Sequence, residues 1–104
     1  MELFRYEDIK YAPPLDEFEN PIGEGRVAIR LYKFPVLKET PQGVWIDTGL
    51  EKKWINLSAR KKYACLTEEE AKESFIARKK RQIRILESQL NRAHSALSLA
   101  KNEL

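Results

Sequence analysis

From Thr67 to Leu104 the chain contains neither proline nor glycine, and this run constrains the fold more than any other feature. Thr67-Glu68-Glu69-Glu70 opens it as a capping box: the threonine oxygen accepts an orphan backbone N–H, and Glu70 reaches back to the cap. The three glutamates lie at the positive end of the helix dipole. One helix of about 35 residues would be about 50 Å long. Along it Ile83, Leu86, Leu90, Ala93, Leu97, Ala100 and Leu104 alternate in steps of 3 and 4 residues, a heptad seam. Large and small side chains alternate in this seam, which permits close approach and favours an antiparallel hairpin or bundle. Ile76 extends the series backward and Lys79 breaks it. The flanks carry Gln82, Glu87, Gln89, His94 and Lys101, no strong charge code for orientation. A sheet with strands of about 17–20 Å covers only part of such a helix. The distal part is therefore expected to meet another copy, as a dimer or a larger even-numbered assembly.

Upstream of the helix the pattern changes to short strands. Residues 2–11 supply Leu3, Phe4, Tyr6, Ile9 and Tyr11 in a short strand without a clear period. Pro13-Pro14, Pro21 and Gly23-Glu24-Gly25 make residues 12–26 a loop, with Leu15, Phe18 and Ile22 expected to pin it to the body. Val27 to Phe34 is the clearest strand: Val27, Ile29 and Leu31 share one face, and Ala28, Arg30, Tyr32 and Phe34 the other. Pro35 is expected to bend it or to mark a sheet edge. Thr40-Pro41-Gln42-Gly43 reads as a turn. Val44-Trp45-Ile46 and Lys53-Trp54-Ile55-Asn56-Leu57 are further strands, and Lys62-Tyr63-Ala64-Cys65 a short fourth. The predicted fold class is α+β: a small antiparallel sheet of three to five strands in residues 1–66, then the capped helix of residues 67–104, forming one domain.

Several function classes fall away. No window is apolar enough to span a membrane. The start, Met1-Glu2-Leu3-Phe4-Arg5-Tyr6-Glu7-Asp8, does not read as a signal peptide. The single cysteine, Cys65, forms no internal disulfide, and the single histidine, His94, makes no metal site alone. A cytoplasmic location is expected. Neither a cofactor nor a metal is implied, and no catalytic residue is nominated: His94 lies far along the seam helix, and Cys65 reads as a small buried hydrophobe. Gly23-Glu24-Gly25 lacks the flanking pattern of a dinucleotide fold or a P-loop.

Charge is segmental. Residues 1–26 carry a balance of -4, residues 27–66 of +5 and residues 67–104 of +2. An acidic head and a basic middle suggest an anionic partner, or the head of one chain meeting the middle of another. Two basic clusters stand out: Arg60-Lys61-Lys62, with Lys52 and Lys53 one strand away, and Arg78-Lys79-Lys80-Arg81 with Arg84. The second reads equally as a solvated helix face paired to Glu73 and Glu87. Tyr32, Phe34, Trp45, Trp54 and Tyr63 interleave with the bases, a combination that suits phosphate neutralisation and base stacking. The candidate ligand-binding residues are Arg30, Trp54, Arg60, Lys61, Lys62, Arg78 and Arg81, around a phosphate-bearing, nucleotide-like anion. The seam supplies the oligomer contacts. Two other readings remain: a nucleic acid on an open face lined by the same basic and aromatic residues, or an inhibitor docking on a protein through the acidic head, Asp16, Glu17 and Glu19.

The stretch from Lys62 through Thr67-Glu68-Glu69-Glu70 and Arg78-Lys79-Lys80-Arg81 to Gln82, with the Lys38 to Ile46 turn, resembles small accessory proteins of tailed bacteriophages. That resemblance implies an anti-defence protein acting in an infected bacterial host. Some such proteins sequester the nucleotide signals, cyclic or modified, that bacterial defence systems produce. The resemblance assigns no residue a role, so the nucleotide-sponge expectation rests on analogy and on the basic and aromatic composition.

Overall fold

A computed structural model describes all residues from Met1 to Leu104. Four strands, β1 (Glu2–Tyr11), β2 (Arg26–Glu39), β3 (Gly43–Asp47) and β4 (Lys52–Asn56), form one antiparallel sheet in the order β1-β2-β3-β4. A single helix, α1 (Glu68–Glu103), follows. The α+β architecture is the one the sequence predicts.

β1 takes up the whole of the stretch read as a strand, with ten residues paired from Glu2↔Pro35 to Tyr11↔Arg26. β2 runs straight through Pro35, which neither ends it nor lies on an outer strand. Its first part pairs with β1 up to Pro35, and its last part pairs with β3 from Val36 onward, with a register shift between Val36 and Lys38. Proline sits at this hand-over because its missing N–H is least missed there. The Thr40–Gly43 turn forms as read: the Thr40 N–H donates to the Gly43 carbonyl at 2.8 Å, and the Gly43 N–H donates to Thr40 Oγ1 at 3.1 Å. Gly43 is required because a Cβ there would run into the Ile55 carbonyl oxygen and lie 2.9 Å from Trp54 Cζ2.

Residues 62–65 do not make the expected fourth strand. They form an isolated antiparallel bridge, Phe4↔Cys65, on the outer side of β1. The 12–26 loop also departs from expectation, since Leu15, Phe18 and Ile22 are exposed. It is held by polar turns instead: Asp16 Oδ1 accepts from the Phe18 and Asn20 N–H groups, both at 2.9 Å.

The core is small: Leu3, Phe34, Val44, Ile46, Ile55 and Ala64, with Tyr32, Val36, Leu57 and Tyr63 packed around it. Only 9 of 104 residues are buried. The radius of gyration is 20.0 Å, against about 13 Å for a compact chain of this length. The helix causes this difference. It is capped as predicted by Thr67 Oγ1, which accepts from the Glu70 N–H at 3.1 Å, although the reciprocal bond to the Glu70 carboxylate is not made. Ala71 is its only buried residue, and from Gln82 to Leu104 every residue is exposed. The helix docks by its first turns alone and then leaves the sheet.

Candidate anion-binding cleft

The docking turns of α1 lie along the outer edge of β1. Phe4 exchanges backbone hydrogen bonds with Cys65, so its polar groups face away from β2. By the period of two, the Tyr6 carbonyl faces the same way. Arg78 takes that carbonyl through Nη2 at 2.7 Å and reaches Glu7 Oε1 through Nη1 at 3.4 Å. Lys79 Nζ pairs with Asp8 Oδ1 at 2.6 Å. Glu7 and Asp8 alternate across the pleat, so the helix grips β1 from both faces and covers an otherwise open edge. The basic run is thus not paired to Glu73 and Glu87; Arg78 and Lys79 are committed to β1.

Arg5 completes the junction. It ion-pairs with Glu7, donates from Nη1 to the Tyr63 carbonyl at 2.6 Å and lies 4.2 Å from the Tyr63 ring centroid. Lys53 Nζ is 4.0 Å from the same ring. Tyr63 and Lys53 therefore brace the segment that enters the helix.

Between that segment and the helix lies a cleft of about 670 Å³. Arg60, Lys61, Lys62 and Cys65 form one wall, and Glu70, Glu73, Ser74, Ala77, Arg78 and Arg81 the other. The second set follows helical spacing and marks one face of α1. Five of the seven sequence-nominated residues are brought together here. Arg60, Lys61, Lys62 and Arg81 form no ion pair within the chain. Five bases face two carboxylates, which gives the cleft a net positive field.

Two nominated residues lie elsewhere. Arg30 sits on β2 opposite Glu7, exposed and outside the cleft. Trp54 is paired across the hairpin with Trp45 on the face of β3 and β4 away from the core. Its Nε1–H donates to Thr40 Oγ1 at 3.3 Å and its ring lies beside Gly43. Trp54 is a clamp on the hairpin turn. No aromatic residue lines the cleft, so base stacking there has no platform. Glu70, Glu73 and Ser74 were not nominated. Their shared helical face with Arg78 and Arg81 was readable, but nothing in the chain order puts that face opposite residues 60–62.

Cys65 is buried, and burial, reinforced by the Glu70 carboxylate, pushes its thiol above the ordinary value. Little thiolate is available at neutral pH, which suits a packing role. No group of three or more His, Cys, Asp or Glu gathers as a metal site, and no helix is long and apolar enough to cross a membrane. No protein-family model, curated protein or solved structure matches the chain.

Asp8 supplies a pH-dependent contact. The hydrogen bond from Lys79 holds its carboxyl below the ordinary carboxylate value, against a smaller opposing effect of desolvation. A carboxyl with a lowered folded-state pKa stabilises the fold above its unfolded pKa, and that contribution disappears as pH falls through the folded value. The melting temperatures of the parent and Asp8→Asn should therefore differ fully above about pH 5 and converge in stronger acid. A gap unchanged between pH 5 and pH 2 would show that the Lys79 contact does not titrate.

Proposed function

We propose that the cleft binds a small phosphate-bearing anion and holds it without chemical conversion. The observation that carries this reading is the convergence of Arg60, Lys61, Lys62 and Arg81, free of internal ion pairs, on one cavity beside the helix. Lysine and arginine bond phosphate oxygens with charge assistance, and arginine does so in a fork. A cavity of about 670 Å³ suits a nucleotide-sized ligand. The want of an aromatic lining favours recognition through phosphate rather than through a stacked base. Glu70 and Glu73 restrict where the anion sits, since their carboxylates repel it from the opening turns of the helix.

The test is thermal shift and calorimetry with pyrophosphate, linear nucleotides, cyclic nucleotides and a random oligonucleotide. At a hundredfold excess over Kd a bound ligand adds about 2.7 kcal/mol of stability. Lys62→Glu and Arg81→Glu should each weaken binding by about 10- to 100-fold, the worth of a charged hydrogen bond. No shift from any small phosphate compound would overturn the reading. Binding of the oligonucleotide alone, with a steep salt slope, would replace it with an open nucleic-acid surface.

A further inference from the structure

We infer that the free half of α1 pairs with the same half of a second copy, antiparallel, in one defined register that leaves both clefts open. This inference stands independently of the ligand proposal. Leu86, Leu90 and Leu97 are each 53–56% exposed, although they form one continuous stripe. The chain exposes 8528 Å², about 2,500 Å² more than a compact monomer of its mass. A stable interface needs about 800 Å² from each partner. Part of that surplus is the helix from Gln82 to Leu104, where every residue is exposed.

The seam is self-complementary in only one orientation. With Ile83, Leu90, Leu97 and Leu104 at one heptad position and Leu86, Ala93 and Ala100 at the other, parallel pairing would set leucine on leucine in one layer and alanine on alanine in the next. Such layers need different helix separations. Antiparallel pairing sets each leucine of the first position against an alanine or leucine of the second, which evens the spacing.

The junction with the sheet then selects the register. One antiparallel register would place Leu104 of the partner subunit against Lys79. That seam position is occupied, because Lys79 is ion-paired to Asp8 on β1. It would also bring Lys80 beside Lys101 of the partner subunit. Shifting by one heptad removes both conflicts. Leu86 then meets Leu104 of the partner subunit, Leu90 meets Ala100 of the partner subunit, and Ala93 meets Leu97 of the partner subunit. Glu87 lies beside Lys101 of the partner subunit, twice by symmetry, an opposite-charge pair on the rim. His94 faces His94 of the partner subunit across the two-fold axis. The partner ends at the level of Leu86, beyond Arg81, so the clefts remain accessible at the two ends.

Sedimentation of the full chain at micromolar concentration should give a mass near twice 12.2 kDa. In a Cys65→Ala background, His94→Cys should link to itself through a short bismaleimide in high yield. Ser88→Cys, on the outer face, should link poorly. In a parallel pair, or in the other antiparallel register, the two residues at position 94 do not meet. Leu90→Glu should abolish the dimer while the sheet stays folded, since Leu90 touches nothing in its own protomer's sheet. A monomeric parent, or an assembly whose His94→Cys variant links no better than Ser88→Cys, overturns the inference. Anion binding by Leu90→Glu reports separately on the cleft.

Discussion

Ile46→Ala is expected to remove more than half of the chain's folding stability at room temperature. Ile46 is completely buried on the core face of β3, in a core of six residues. Truncating a buried isoleucine to alanine costs about 3 kcal/mol through lost transfer energy and the cavity left behind. Domains of this size have about 5–15 kcal/mol to lose, and one that buries so few side chains falls at the bottom of that range. Ile46→Val should cost only about 1 kcal/mol. Urea titration followed by circular dichroism distinguishes the two, provided the helix signal is read separately from tryptophan fluorescence. A cost for Ile46→Ala no larger than that for Ile46→Val would mean that the sheet is not the stability-determining unit.

Arg78→Met should loosen the docking of the helix on the sheet without unfolding the sheet. Methionine keeps most of the apolar stem but removes the bond to the Tyr6 carbonyl and the contact with Glu7. Glu7 keeps Arg5 as its partner, so the main loss is the charge-assisted bond that covers the β1 edge, about 2 kcal/mol. Cys65 reports the opening, because it is buried where the helix meets β1 and pairs with Phe4. Its modification by a thiol reagent should accelerate by about 30-fold, the factor equivalent to about 2 kcal/mol. Arg78→Lys should recover little of the loss, because an ammonium cannot bond the carbonyl and the carboxylate in one fork. An unchanged rate in Arg78→Met would show that the helix is held by the burial of Ala71 and the Lys79–Asp8 pair without Arg78.

The two clusters that the sequence presents as one kind of feature have different roles. In Arg78-Lys79-Lys80-Arg81, Arg78 and Lys79 hold the helix to β1, while Arg81 turns into the cleft. The 100° step between successive helix residues separates them, and only the position of β1 decides which two are engaged. Arg60, Lys61 and Lys62 were legible as a basic cluster, but what they line depends on the helix passing opposite. The tryptophans illustrate the converse. Trp54 carries the composition of a stacking residue, and its place beside Gly43 makes it a support for the turn.

Local chemistry was sufficient for the capped helix, the Thr40–Gly43 turn, the β2 alternation and the heptad stripe, because each is set by residues within one or two turns of one another. The chain order alone could not establish the outer bridge of Cys65 to Phe4, the grip of Arg78 on β1, or the cleft between residues 60–62 and α1. Each of these joins segments separated by many residues, and similar charges were available elsewhere to satisfy the same partners. Tertiary structure decided between those options through one geometric circumstance: the helix leaves the sheet along the β1 edge, so its first turns build a cavity and its last turns remain bare.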